Sequence, residues 1–248
     1  MKLTHVPTIN TRYWSGIALA SVFGTNLGDL YAHESGLGLL GGLPILAVLF
    51  LCVYGAERFD KFGHDAYYWL CIIIMRTGAT NIADYMAGRR QLHIDRLELT
   101  IGLGALLAVL SFLEARSDKV ANTPHALKTL PNTSPLYWVA MLTAGVFGTV
   151  FGDWCQGVVG QGPAAAGLIA ILLVVLMLYR KDALKSVHGY WLVIAVARTT
   201  GTAIGDWLAE SKIANLGLPL ATILSGVAFV AVLTIWRSRR VAEATPAS

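Results

Sequence analysis

Residues 13–29 read YWSGIALASVFGTNLGD: a Tyr-Trp pair opens the stretch, and an aspartate follows fifteen residues after the tryptophan, inside an apolar run. The pattern returns as YWLCIIIMRTGATNIAD at 68–84, YWVAMLTAGVFGTVFGD at 137–153 and YWLVIAVARTTGTAIGD at 190–206. A spacing that recurs unchanged indicates an internal repeat. The chain therefore consists of four related units, each carrying one carboxylate at the same position.

The composition is typical of a membrane protein. Of the 248 residues, 55% are hydrophobic and only 14% are charged. Crossing about 30 Å of hydrocarbon takes about 20 apolar residues, and runs of that length recur along the chain. They predict eight transmembrane helices, at about 14–32, 37–54, 67–87, 98–114, 136–155, 163–179, 189–209 and 216–236. We therefore predict an all-α, polytopic membrane protein.

Each repeat contains two predicted spans, the first of which carries the motif. Two crossings return the chain to its starting side, so the four motif-bearing helices are predicted to be parallel. The halves resemble each other more than adjacent repeats do, since FGTNLGD pairs with FGTVFGD and RTGATNIAD with RTTGTAIGD. This favours pseudo-twofold symmetry, with a weaker fourfold pattern, along the membrane normal. The predicted units are a first half at 1–114, a cytoplasmic linker at 115–135, a second half at 136–236 and a cytoplasmic tail at 237–248.

The basic residues predict the orientation. One set of predicted loops holds thirteen Lys and Arg residues, and the opposite set holds only Arg89, Arg90, Arg96 and Lys212. By the positive-inside rule, both termini are expected in the cytoplasm. The net charge of +4 then describes a cytoplasmic rim against anionic lipid. The expected partners are the lipid bilayer and a small ion or solute, and no nucleic acid.

Within the motif, the Tyr-Trp pair is interpreted as an anchor at the membrane interface, where amphipathic rings are enriched. Small residues four apart, as in Gly24 with Gly28 and Gly201 with Gly205, allow helix backbones to approach closely. The four motif-bearing helices are therefore expected to contact one another.

Fifteen residues beyond the tryptophan, a helix has risen by about 22 Å, which places the aspartates at one depth in the non-cytoplasmic half of the bilayer. A threonine four residues before each aspartate lies on the same helix face. Such oxygen-rich groups suit hard divalent cations. The candidate ion-binding residues, of which the aspartates are the candidate metal ligands or proton carriers, are Asp29, Asp84, Asp153, Asp206, Thr25, Thr80, Thr149, Thr202, Asn26 and Asn81. The alternative is that the aspartates only cap turns or bind neighbouring amides.

Two arginines occur eight residues before an aspartate, namely Arg76 and Arg198, where the other repeats have Ser21 and Gly145. An arginine near mid-bilayer needs a partner or water. Three roles remain open for it: pairing with an aspartate of another repeat, binding an anionic substrate, or acting as a tethered cation that competes with a transported ion.

These motifs resemble a bacterial membrane-protein family of four tandem two-span repeats, each with a tryptophan, whose function is unknown and whose members are often labelled membrane-anchored proteins. The resemblance covers essentially the whole chain, through the YW-x14-D pattern and the RTTGTAIGD segment at 198–206. It implies the repeat architecture and a bacterial inner membrane location, but no established activity. Some members carry glutamate in place of Thr25 or Thr149, so the resemblance leaves ion specificity open.

Three functions remain as hypotheses. The first is secondary transport or export of a divalent metal cation, Mn-like or Mg-like, with coupling to protons left open. The second is proton-coupled transport of a small anion held by Arg76 and Arg198, and the third is a structural or cofactor-binding role in the membrane. The predicted spans contain no haem-ligand histidine pair, nucleophile with a base, or phosphate loop, so an enzyme is not predicted. No cofactor is assigned beyond a divalent metal ion as substrate, and the oligomeric state stays open.

Overall fold

The computed structural model describes residues 3, 6–60, 64–89, 91–117 and 133–244, with side chains described through residue 235. Within these ranges the secondary structure is helical, and no β-strand occurs, so the predicted all-α class is confirmed. The helices are α1 (Thr11–Glu34), α2 (Gly38–Gly41), α3 (Leu43–Ala56), α4 (Ala66–Ala87), α5 (Arg96–Ser117), α6 (Pro135–Val159), α7 (Gln161–Arg180), α8 (Val187–Glu210) and α9 (Leu218–Ala244). A 3-10 turn covers Glu57–Phe59.

Four helices carry the repeated motif, and we call α1, α4, α6 and α8 the motif helices. Each contacts the next one along the chain, and α8 returns to contact α1, so the four form a closed ring. Their tyrosines meet at one end of the ring, and their aspartates line one cavity at the other. The motif helices are therefore parallel, and their predicted mutual contact is confirmed.

Polar residues fix where the motif helices begin. The side chain of Asn10 accepts a hydrogen bond from the Tyr13 amide, and Ser134 and Ser186 make the equivalent contact at the starts of α6 and α8. These side chains satisfy amide groups that the first turn of a helix leaves without a partner. The Tyr-Trp pairs of α1, α6 and α8 thus follow a capped start, whereas Asp65 before α4 makes no such side-chain bond.

The other long helices, α3, α5, α7 and α9, lie outside the ring, and we call them the outer helices. They leave large apolar side chains exposed, as at Leu51, Ile101, Leu173 and Val227, each at least 60% exposed. Apolar surface on this scale is unfavourable in water and is expected where helices face lipid. The outer helices thus surround the polar ring with an apolar exterior.

Among the described residues, five helical segments are long and apolar enough to cross a membrane: Gly38–Phe59, Arg96–Ser117, Pro135–Val159, Gln161–Arg180 and Leu218–Ile235. These support five of the eight predicted spans and a multi-helix membrane protein. The motif helices α1, α4 and α8 are 24, 22 and 24 residues long but are not among the five. The polar side chains that they direct into the ring lower their hydropathy.

Some predicted boundaries differ from the structure. The predicted span 37–54 is interrupted, because α2 ends at Gly41 and α3 begins at Leu43, with Pro44 in its first turn. Proline has no N–H to continue the hydrogen bonding of a preceding helix. Helix α9 continues into the predicted tail as far as Ala244. Residues 118–132 of the predicted linker and 245–248 of the tail lie outside the described residues.

The interpretation of the Tyr-Trp pairs as interfacial anchors is wrong. The four tyrosines are at most 1% exposed, and the four tryptophans are 2–7% exposed. The first turns of the four parallel motif helices lie side by side, so their aromatic side chains pack against one another between the helices. Tyr13, for example, packs edge-on against Trp14 and lies beside Trp69 of the neighbouring motif helix.

Candidate functional site

One row of side chains, spaced four residues apart, faces the interior of the ring on each motif helix. A four-residue step rises by about 6 Å, so equivalent residues form five levels. The rows are Tyr13-Ile17-Ser21-Thr25-Asp29, Tyr68-Ile72-Arg76-Thr80-Asp84, Tyr137-Met141-Gly145-Thr149-Asp153 and Tyr190-Ile194-Arg198-Thr202-Asp206. We name these the tyrosine, aliphatic, arginine, threonine and aspartate levels.

The tyrosine level is a closed ring of four hydrogen-bonded hydroxyl groups. Tyr13 Oη lies 3.0 Å from Tyr68 Oη and 2.6 Å from Tyr190 Oη. Tyr137 Oη completes the ring at 2.8 Å from Tyr68 Oη and 2.9 Å from Tyr190 Oη. Each hydroxyl can donate to one neighbour and accept from the other, so four buried polar groups satisfy one another. The adjacent aliphatic level, at most 1% exposed, adds an apolar layer above this ring.

At the arginine level, Arg76 reaches across to the threonine level of the other three motif helices. Its Nη2 donates to Thr25 Oγ1 at 2.5 Å and to Thr202 Oγ1 at 2.6 Å. Its Nη1 donates to Thr149 Oγ1 at 2.7 Å and to the Gly145 carbonyl at 3.0 Å. The guanidinium, 1% exposed, therefore ties four helices together at one point.

Arg198 has the same sequence position in the second half but different contacts. Its Nη1 donates to Ser21 Oγ at 3.3 Å, and its Nη2 lies 3.3 Å from the Met141 sulfur, a weak acceptor. In the described chain, no ion pair joins Arg76 or Arg198 to an aspartate, so the predicted pairing with an aspartate of another repeat is not what the structure has.

Close helix contacts accompany these residues in both halves. A Cβ added to Gly24 would lie 2.7 Å from Arg76 Cβ, and one added to Gly148 would lie 2.7 Å from the backbone carbon of Arg198. Contacts this short exclude a side chain, so the α1–α4 and α6–α8 backbones approach closely, as small residues allow. The predicted close packing by glycine is confirmed at these two crossings.

The threonines present oxygen lone pairs to the interior. Thr25 Oγ1 donates to the Ser21 carbonyl at 2.8 Å, and the other three hydroxyls donate likewise to the carbonyl four residues earlier, at 3.3–3.4 Å. This local bond uses the only hydroxyl proton. The threonine level is therefore a set of acceptors, suited to a positively charged partner.

Beyond the threonines lies a polar cavity of about 500 Å³, which is open to the outside of the molecule. All four aspartates and all four threonines of the motif line it. Its remaining polar side chains are His33, Arg96, Gln156, Gln161 and Glu210. Five carboxyl groups thus face one arginine. The cavity lies at the C-terminal ends of the four motif helices, whose dipoles add negative potential. Its electrostatics favour a cation.

The four aspartates are half-buried and have different neighbours. Asp206 accepts a hydrogen bond from Gln156 Nε2 at 2.6 Å. Asp153 lies 3.8 Å from the half-exposed guanidinium of Arg96. The Asp29 and Asp84 carboxyl groups line the same cavity and are close enough to interact. Neighbouring carboxyl groups can share a proton, since two like charges in contact repel.

The remaining sequence-predicted site residues lie outside the cavity. Asn26 and Asn81 are fully buried, and in the described structure neither amide nitrogen nor oxygen has a hydrogen-bond partner. Arg76 and Arg198 lie beneath the threonines. Among the residues that the structure describes, no three His, Cys, Asp or Glu side chains are close enough to hold one metal ion together. The aspartates are thus brought to one cavity but not to one coordination point.

Sequence reasoning missed the tyrosine ring, Arg96 and Gln156. The tyrosines could have been found, because they begin the same four-residue row that ends at the aspartates. Arg96 and Gln156 carry no such signal: they occur once each and reach the cavity through the packing of α5 and α6.

The model of a family described as "Repeat of Unknown Function (DUF347)" matches residues 12–59 and 189–241 of this chain. These segments cover the first repeat and the last, so the resemblance to a repeat family of unknown function is confirmed. No curated protein and no solved structure matches the chain.

Proposed function

We propose that this chain, two of whose repeats match a repeat family of unknown function, is a transporter of the bacterial inner membrane that carries a cation through the ring of motif helices. In this proposal α1, α2 with α3, and α4 to α9 cross the bilayer eight times, as four parallel hairpins with pseudo-twofold and weak fourfold symmetry. The equivalent rows on the motif helices, which share their tyrosine, threonine and aspartate, and the matching glycine contacts in both halves support it. Both termini are cytoplasmic, and the cavity opens to the outside.

One observation carries the proposal: four aspartates and four threonines, one of each per repeat, share a single open cavity. Ionisable groups in a membrane span are costly and are retained where they contact a substrate or an ion pathway. A purely structural role would need the carboxylates bound to partners from other helices. Asp206 and Asp153 do have such contacts, but all four aspartates still line the open cavity and keep part of their surface exposed.

The cargo that we propose first is a Mn-like or Mg-like divalent cation. Because the aspartates surround about 500 Å³ without converging on one point, the ion would enter with part of its hydration shell. Mg²⁺ commonly keeps several waters and takes one or two carboxylates. Proton exchange would suit the interacting carboxyl groups of Asp29 and Asp84, since a divalent cation that displaces one shared proton meets two carboxylates whose charges balance its own.

The two alternatives have weaker support. A small anion would need the arginines to face the cavity, whereas both are 1% exposed and Arg76 is occupied by three hydroxyl groups. A structural or cofactor-binding role fits the tyrosine ring and the Arg76 network, but it does not account for four partly exposed aspartates that line one open cavity.

The test is thermal unfolding of the purified protein with Mn²⁺, Mg²⁺ or chloride. A ligand that binds only the folded state stabilises it by about 2.7 kcal/mol at one hundred times its Kd. We expect Mn²⁺ to raise Tm, and Asp29→Asn and Asp153→Asn to weaken this shift. Asp182→Asn is the matched control, because Asp182 lies exposed in the turn after α7. Unchanged Mn²⁺ stabilisation in all four aspartate variants refutes a cation site here, and a chloride shift lost in Arg198→Gln would favour the anion alternative.

A further inference from the structure

We infer that Arg76 is a tethered cation that seals the inner end of the cavity. Its guanidinium occupies the threonine level, where a cargo cation leaving the aspartates would have to pass, and it takes the oxygens that such a cation would use. The inference rests on the proposed function for the identity of the competing cargo, whereas the seal itself follows from the geometry.

Three threonines contribute to two structures at once. Thr25, Thr149 and Thr202 line the open cavity on one side. On the other side their hydroxyl oxygens accept hydrogen bonds of 2.5–2.7 Å from the guanidinium of Arg76. Only the thickness of these side chains therefore separates the arginine from the cavity. A guanidinium removed from this point would leave three acceptor oxygens accessible from the cavity.

The three threonine hydroxyls that Arg76 contacts direct their protons to backbone carbonyls of their own helices. The distance is 2.8 Å for Thr25 and a longer 3.4 Å for Thr149 and Thr202, and this orientation leaves oxygen lone pairs for an external donor or a cation. A planar, permanently charged guanidinium with several N–H groups meets three such oxygens at once. A compact ammonium group would offer a different geometry.

Arg198 provides an internal comparison. It has the same position in its repeat and the same 1% exposure, yet its guanidinium contacts Ser21 and Met141, away from the cavity-lining threonines. A general requirement for buried positive charge would make the two arginines equivalent. A seal at the threonine level assigns the role to Arg76 alone.

Passage of a cation then requires Arg76 to leave the threonines. While it stays, a cation at the aspartate level meets a like charge about one turn away. Beneath Arg76, the aliphatic and tyrosine levels continue the closure to the other end of the motif helices. The described conformation is thus accessible from the aspartate end only.

The first experiment is chemical rescue with guanidinium ion. Full-length Arg76→Ala and Arg198→Ala proteins are purified in detergent, and Tm is measured with guanidinium chloride at about 10 mM, far below denaturing concentrations. We expect guanidinium to raise the Tm of Arg76→Ala by about 2–4 °C, because it enters the vacated site from the cavity and binds the folded state. Wild type and Arg198→Ala should not respond, and equal responses of the two variants overturn the inference.

A second variant keeps the inference testable if Arg76→Ala does not fold. Arg76→Gln retains donors for the threonines but removes the charge beside the aspartates. We expect Mn²⁺ to bind about tenfold more tightly or better than to wild type, and to enter proteoliposomes faster, with Arg198→Gln giving the smaller effect. Equal effects of the two substitutions, or none, refute a seal at Arg76. A wild type that binds no Mn²⁺, combined with guanidinium rescue of Arg76→Ala, would uphold the seal and refute only the proposed cargo.

Discussion

The tyrosine ring predicts an unusual pattern of stability changes. Tyr13→Phe removes one hydroxyl and with it the bonds of 3.0 Å to Tyr68 and 2.6 Å to Tyr190. Each bond contributes about 0.5–1.5 kcal/mol, and the hydroxyls left behind cannot reach water. The expected loss in the free energy of unfolding is therefore about 1–3 kcal/mol. For a chain of this length, each kcal/mol lowers Tm by about 2–4 °C.

The quadruple Tyr→Phe variant separates the ring from a sum of contacts. It removes every donor together with every acceptor, so no unpaired polar group remains in the apolar interior. Replacing both partners of a buried hydrogen bond by apolar groups of the same shape is nearly neutral. We therefore expect the quadruple variant to lose less stability than the four single variants summed, and to approach the loss of one single variant.

The assay is equilibrium unfolding in mixed micelles, with Tm as a second readout. Tyr179→Phe is the matched control: Tyr179 is 3% exposed, and its hydroxyl has no hydrogen-bond partner in the described structure, so its removal should be neutral or stabilising. A cooperative ring is refuted if the single Tyr→Phe variants of the ring are no less stable than Tyr179→Phe. It is also refuted if the stability loss of the quadruple variant equals the sum of the four single losses.

Two further predictions concern packing and the cavity mouth. Gly24→Ala should lower the free energy of unfolding by about 1–3 kcal/mol, since the added Cβ would lie 2.7 Å from Arg76 Cβ. Gly102→Ala is the control in thermal unfolding: no atom lies within 4 Å of a Cβ added there, so this substitution should be neutral or stabilise α5. Arg96→Gln should tighten Mn²⁺ binding severalfold in a titration, because it removes the positive charge 3.8 Å from Asp153. Unchanged or weaker Mn²⁺ binding would show that Arg96 does not compete with the cation.

Much of the fold could be predicted from the sequence. The spacing from Trp14 to Asp29, repeated in every unit, predicts four parallel motif helices in one register, and the structure confirms their contact. The helix count was harder to establish from composition, because the side chains that make the ring polar lower the hydropathy of α1, α4 and α8. The same residues that define the candidate site thus weaken the membrane signal of the helices that carry them.

The prediction failed where partners had to be known. A Tyr-Trp pair near a helix start has the composition of an interfacial anchor, and only the neighbouring helices show that the pair is buried. Arg76 and Arg198 occupy equivalent positions in similar sequences, so no local property distinguishes them. Their difference arises from what lies opposite each guanidinium, threonines for one and a serine and a methionine for the other.

The sequence by itself determined the repeat, the helical register and the residues present at each level, because residues four apart follow one row, inclined to the axis, on the surface of an α-helix. The tertiary structure decided that the four rows meet, that the tyrosines close one end, that the aspartates surround a cavity instead of a single ion, and that Arg76 fills the threonine level. The physical reason is that hydrogen bonds and charge contacts between helices depend on distances such as 2.5 Å from Arg76 to Thr25 and 3.8 Å from Arg96 to Asp153, and these distances are set by how the backbones pack.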